Sequence, residues 1–128
     1  MRIYKLEKHG SLLMVRICVV GPNNITYPKL LLDTGSAFTI LSKEILYSIG
    51  CNPAYPKRTQ RIITGSGYEI VPVVSVKKLD CFGKVLENFE ILAHTLPFGV
   101  YVDGLLGMDF LGRFDIDIRT FKGEIFIG

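Results

Sequence analysis

Leu30-Leu31-Leu32-Asp33-Thr34-Gly35-Ser36 sets an aspartate at the end of a run of leucines. A strand built this way delivers a carboxylate out of a dry core. Two readings are open. In one, Asp33 merely caps a turn and Thr34-Gly35-Ser36 is ordinary turn chemistry. In the other, the strand exists to present the acid. Spacing alone leaves the two evenly matched, although three leucines are an extravagant lead-in to a plain turn.

Outward from this segment, alternation dominates. Leu12–Val20 (LLMVRICVV) is apolar and β-branched, and Gly21-Pro22-Asn23-Asn24 stops it. Residues Ile25–Asp33 resume as a strand in which Pro28 marks an edge or bulge, and Phe38–Leu41 form a short one. Ser42 is placed to cap a helix over Lys43–Ile49, with Glu44 in the first turn, Ile45, Leu46 and Ile49 on its apolar face and Gly50 as its stop. A loop over Asn52–Lys57 follows. Residues Arg61–Thr64 and Tyr68–Lys77 read as the arms of a hairpin joined by Thr64-Gly65-Ser66-Gly67. Further strands are expected at Lys84–His94 and Val100–Leu106, then a helical turn at Met108–Leu111. The strand Phe114–Ile118 pairs with Glu124–Ile127 across Lys122-Gly123.

The whole chain, 128 residues, reads as one mainly β domain with one or two short helices. Hydrophobic residues make up 48% and charged residues 21%, enough for a core and unlike a disordered tail. The net charge of +3 is mild and scattered. The nearest thing to a basic patch, Pro56, Lys57, Arg58 and Arg61, reads as a solvated loop, so no nucleic-acid partner is expected. The stretch Leu12–Val20 is too short to span a bilayer and holds Arg16, so no membrane association is expected. Cys18, Cys51 and Cys81 lack metal-like spacing and read as reduced thiols of a cytoplasmic protein.

Most catalytic constellations fail. His9 and His94 belong to no zinc motif, so no metal or other cofactor is expected. Gly65-Ser66-Gly67 lacks the lysine and hydroxyl of a phosphate loop, and no nucleophile elbow is present. Asp115 and Asp117 fall on the polar side of an alternating strand.

Leu31-Leu32-Asp33-Thr34-Gly35-Ser36 resembles the active-site motif of aspartic proteases. Asp103-Gly104-Leu105-Leu106-Gly107-Met108-Asp109-Phe110-Leu111 is similar to that family's second signature, and Ile62-Ile63-Thr64-Gly65-Ser66-Gly67-Tyr68 sits where a glycine-rich flap belongs. The three motifs follow the family's order and approximate spacing over most of the chain, and they match its single-lobed, retropepsin-like branch. The resemblance implies a closed β-barrel of the retropepsin type. It also implies an aspartic endopeptidase acting on peptide or protein substrate, with Asp33 as the catalytic acid.

One Asp-Thr-Gly per chain then implies a homodimer, with an Asp33 from each subunit meeting at the two-fold axis. In that reading Thr34 braces the two loops across the axis, Gly35 leaves room for the dyad, and Ser36 donates to the outer oxygen of Asp33. Leu106 and Gly107 support the loop from behind, with Leu105 beside them. Ile63, Thr64, Gly65, Ser66 and Gly67 form the substrate-binding flap. Retroviral members carry an aspartate after the first motif and an arginine after the second-motif glycine as an ionic brace. Here Ala37-Phe38 and Met108 stand at those places, so a dimer leans on other contacts. The rival reading from another class is a non-catalytic retropepsin-like dimerisation or peptide-binding module.

Overall fold

The computed structural model of the chain describes residues 2–96 and 102–128. Thirteen strands and two short helices are present among them: β1 Arg2–Lys5, β2 Glu7–His9, β3 Leu12–Arg16, β4 Cys18–Val20, β5 Ile25–Thr26, β6 Lys29–Leu32, β7 Ile40–Leu41, α1 Lys43–Ser48, β8 Arg58–Thr64, β9 Gly67–Cys81, β10 Lys84–Ala93, β11 Gly104–Leu106, α2 Met108–Leu111, β12 Ile116–Arg119 and β13 Glu124–Ile127. The fold is mainly β, and no helix among the described residues is long and apolar enough to cross a membrane.

The larger sheet runs in the order β2-β3-β6-β11-β7-β10-β9-β4-β5, with β8 paired to β9. Its end strands, β2 and β5, are not hydrogen-bonded to each other among the described residues. It is folded around a common core: Leu30, Leu41, Leu46, Val74, Leu79, Ile91, Leu106 and Phe110 come from five strands and both helices and pack in one cluster.

The expected strand Leu12–Val20 is broken at Ile17. Its first half pairs with β2 and β6, its second with β5 and β9, so the chain bends there to serve two parts of the sheet. Pro28 breaks Ile25–Asp33 in the same way: it has no N–H for the ladder, and its carbonyl accepts from Ile17 N instead (3.0 Å). The helix forms as its local signals require. Ser42 accepts from Ile45 N, Leu46 is buried, and Gly50 carries the chain away at φ +91°. Phe82 and Gly83, at φ 53° and 70°, make the two-residue loop that joins β9 to β10.

A smaller sheet, β1-β13-β12, closes one end. The β12–β13 hairpin was legible in the sequence, and Asp115 and Asp117 are exposed as expected. The pairing of β1 with β13 was not. It sets Arg2 opposite Ile127 and Lys5 opposite Glu124, and Lys5 Nζ lies 3.1 Å from Glu124. Arg58, expected in a loop, belongs to β8, which begins three residues before the hairpin arm expected from Arg61. Of the expected strand Val100–Leu106, positions 100 and 101 lie outside the described residues and Gly104–Leu106 is a strand.

Strands β6, β11 and β7 meet where Gly104 lies between Leu30 and Leu41. A Cβ on Gly104 would overlap the Ile40 carbonyl oxygen and come 3.0 Å from a Leu30 methyl. Overpacking against backbone cannot be relieved by a rotamer change. Gly104→Ala is therefore expected to destabilise the protein by about 3 kcal/mol or more, or to prevent folding. A chemical-denaturation midpoint close to wild type would contradict this packing.

Candidate active site

Asp33 follows directly on β6, and its position is dictated by a crossing. β6 and β7 lie on opposite sides of β11, so the residues joining them, 33–39, must pass over the C-terminal end of β11. Gly107 occupies the crossing point. A Cβ there would overlap the Phe38 carbonyl oxygen and come 2.9 Å from that of Ser36. Glycine is required by close backbone approach and not by its φ.

Backbone bonds clamp the loop to what it crosses. Asp33 N donates to Leu106 O (3.0 Å), and Met108 N donates to Ser36 O (2.7 Å). Within the loop, Asp33 Oδ1 accepts from Gly35 N (2.9 Å), and Ser36 N donates to Asp33 O (3.2 Å). A Cβ on Gly35 would come 3.3 Å from Asp33 Oδ1, tight enough to disturb the carboxylate. Asp33 is half-buried, while Thr34 and Gly35 are exposed.

Beneath the loop lies a cluster whose members are far apart in the chain. Thr39 is fully buried. Its N–H and hydroxyl both donate to Asp109, at 2.9 and 2.7 Å, and its Oγ1 accepts from Gly107 N at 3.1 Å. One threonine and one carboxylate thus tie the loop, the glycine it crosses and α2 together. A half-buried carboxylate bonded this way is satisfied, and removal of either partner leaves polar groups of the other without their bonds.

Ser36 departs from expectation. Its hydroxyl donates to Phe38 O at 2.7 Å, so its single proton is spent within the loop and not on Asp33. Leu106 is fully buried in the main core. Leu105 joins a second cluster built on Ile40, Val71, Val73 and Leu92, with Phe38 and Ile62 packed against it.

The hairpin β8–β9 closes with Thr64 opposite Gly67. Gly67 has φ +128°, a value side chains rarely adopt, and a Cβ on Gly65 would meet nothing within 4 Å. Thr64 Oγ1 lies 3.3 Å from both Ser66 Oγ and Gly67 O, so the tip's hydrogen bonds are local. Alternation assigns the two faces. Ile62 turns toward the second cluster, beside Phe38 and Leu105. Ile63, expected to line the substrate site, turns outward with 90% of its surface exposed. Its backbone remains in the hairpin; the side chain facing the Asp33 loop is that of Ile62. Two adjacent isoleucines gave no sign of which one points in.

At the base of the hairpin, Arg58 and Lys57 reach Glu90 of β10 at 3.0 and 3.4 Å. The hydrogen bond from Arg58, aided by both cations, holds the Glu90 carboxyl below the usual carboxylate range. A cavity of about 530 Å3, walled by Lys43, Glu44, Tyr47, Asn52, Pro53, Ala54 and Pro72, contains none of the Asp33 loop.

Two outcomes follow from this geometry. Thr39→Val, which keeps the shape and removes the hydroxyl, is expected to lower stability by about 2–3 kcal/mol. Thr39→Ser should recover most of that loss in thermal unfolding. Because the folded-state pKa of Glu90 is lowered, its contribution is present above the range of an unfolded glutamate and fades as pH falls through the folded value. Glu90→Gln should therefore lower the melting temperature at neutral pH, and the difference should vanish in strong acid.

The chain matches the model of a family described as "gag-polyprotein putative aspartyl protease" over residues 23–113, which spans the Asp33 loop, the hairpin and β11–α2. Among curated proteins no sequence matches significantly. A retropepsin-like aspartic protease from Rickettsia conorii superposes with a TM-score of 0.72 at 20% identity, covering 98% of this chain and 91% of that one. The EIAV protease, solved with the inhibitor HBY-793, gives 0.58 at 21% identity, covering 86% and 91%. Both likenesses are of fold, and the fold is that of the retropepsins. With the family model spanning well over half its length, the chain belongs to the gag-polyprotein aspartyl protease family.

Proposed function

We propose that the protein is an aspartic endopeptidase that works as a homodimer, with Asp33 of each subunit forming one catalytic dyad. The observation that carries this reading is the placement of Asp33. A single Asp-Thr-Gly is held rigidly over Gly107 with its carboxylate half-buried and its neighbours Thr34 and Gly35 open to solvent. One chain thus offers half of a carboxylate pair on a face that another copy can cover.

Two carboxylates brought together at a two-fold axis cannot both ionise, so the pair holds one proton and titrates as a unit. The ionised member takes a proton from a bound water, whose oxygen attacks the peptide carbonyl. The protonated member gives its proton to the carbonyl oxygen. Collapse of the tetrahedral intermediate breaks the C–N bond as the amine leaves with a proton. Thr34, exposed in the single chain, is free to bond across the axis. Gly35 keeps the approach to the dyad clear.

The substrate lies extended beneath the hairpin, bonded to backbone near the tip and near Gly35. Ile62, Phe38 and Leu105 present apolar surface toward it, which favours hydrophobic residues flanking the scissile bond.

The test combines solution mass with turnover. Sedimentation across concentration should show a monomer–dimer equilibrium, and cleavage of a denatured protein at acidic pH should follow the dimer fraction and be blocked by pepstatin. Asp33→Asn should lower cleavage by at least about 10^3-fold, since it removes both proton-transfer roles. An established dimer that cleaves nothing would point instead to a non-catalytic peptide-binding module. Equal cleavage by wild type and Asp33→Asn would place the chemistry elsewhere.

A further inference from the structure

The hairpin that covers the Asp33 loop outruns its support. The last β9–β10 pair is Val73 with Leu92, and β10 ends at Ala93. From Pro72 to Gly67, β9 is paired with β8 among the described residues. The ribbon is therefore a lever hinged near Lys57 and Arg58, where Glu90 grips both. Its position over the active-site loop depends on side-chain contacts closer to the tip.

One such contact is an ion pair. Continuing the register from Leu92–Val73 sets His94 opposite Val71, with Glu69 as its diagonal neighbour, within reach of long side chains. His94 has left β9 to bond β7 through its N–H to Leu41 O (3.0 Å). Its imidazole still faces the hairpin, and Nε2 lies 3.5 Å from Glu69 Oε2, with the two side chains 30% and 49% exposed. Glu69 is two residues from the turn at Gly67 and lies on the same face as Ile62 and Val71, the face turned toward the Asp33 loop.

We propose that His94 is a positioning residue for the flap, acting through Glu69 and seating the hairpin over the active site in the acid range. The proposal rests on the protease reading above. The other charged groups nearby are committed. Arg61 is on the opposite face, stacked on Tyr68 at 4.6 Å, and Lys57 and Arg58 are held by Glu90. Glu44 of α1, the next carboxylate on the histidine side, accepts from Thr95 Oγ1 (3.4 Å).

A half-exposed pair of this kind adds little to global stability. A flap poised between open and closed is different, because a small bias shifts its populations severalfold. Histidine and glutamate carry opposite charges only in the window between their titration ranges. The bias therefore exists only while the imidazole is protonated and the carboxylate is not. That window overlaps the acid conditions in which a carboxylate dyad retains its single proton.

Hydrogen exchange of the flap amides tests this without requiring turnover. After correction for intrinsic rates, amides of residues 65–70 in the wild-type protein should be about threefold or more better protected near about pH 5.5 than near about pH 7.5, while core amides serve as control. His94→Gln and Glu69→Gln should abolish the difference. His94→Lys, cationic at both values, should protect at both. In peptide cleavage, His94→Gln should raise KM more than it lowers kcat, chiefly in the acid arm. Flap protection that ignores pH, or that survives in His94→Gln, would overturn the proposal. Absence of any Asp33-dependent cleavage would instead overturn the protease reading and leave the exchange result standing by itself.

Discussion

The passage of residues 33–39 over the end of β11 is the constraint on which the site depends. Strand order makes the crossing unavoidable, since β6 and β7 flank β11 and one short loop must join them. Crossing backbone over backbone leaves no room for a side chain at Gly107. It also leaves polar groups facing inward, which must be paired inside the protein. Thr39 and Asp109 meet that need: one buried hydroxyl accepts from Gly107 and donates to a carboxylate that also takes the Thr39 N–H. The result is a loop held from below on every side. Its outer side leaves Thr34 and Gly35 exposed and the Asp33 carboxylate half-buried, so the acid combines fixed backbone geometry with open access.

The hairpin over this loop is built on the opposite principle. It is a two-stranded ribbon, a form that is marginal without further support. Its base is gripped by Glu90, its middle rests on the cluster of Val71, Val73 and Leu92, and its tip bonds only locally. Ordered packing thus thins from base to tip. Such a gradient leaves the tip the least constrained part of the hairpin. The outward side chains, Ile63, Tyr68 and Ile70, play no part in that packing; they are 90%, 64% and 65% exposed.

What the sequence disclosed was local. The helix announced itself through Ser42 and Gly50, the β12–β13 hairpin through strict alternation, and the β8–β9 hairpin through glycines between β-rich arms. Contacts distant in sequence were hidden. β1 pairs with β13 across more than a hundred residues, and Arg2–Lys5 has no apolar pattern of its own to signal a strand. Thr39 and Asp109 are 70 residues apart. Asp109 sits in the first turn of α2, a place where an acid occurs for local reasons alone. The mate of Ser36 was misjudged for a related reason. A hydroxyl two residues from a carbonyl bonds locally before it reaches for a more interesting group.

The missing ionic brace is also a matter of what stands in its place. Ala37 is exposed and Met108 is 41% exposed, and both adjoin the loop that carries Asp33. A second copy seated on this face would bury uncharged surface there and would not need to desolvate an ion pair. Burying a charged pair costs about as much as it returns, and apolar groups of similar volume are often as good or better. Methionine, long and unbranched, also adapts its shape to a partner more readily than a fixed guanidinium–carboxylate fork. The exchange therefore does not by itself weaken association. In the proposed dimer it would move the driving force from directed hydrogen bonds to burial, so salt would matter less to pairing than in a braced dimer, and the register of the two loops would have to come from elsewhere, with exposed Thr34 the nearest polar side chain.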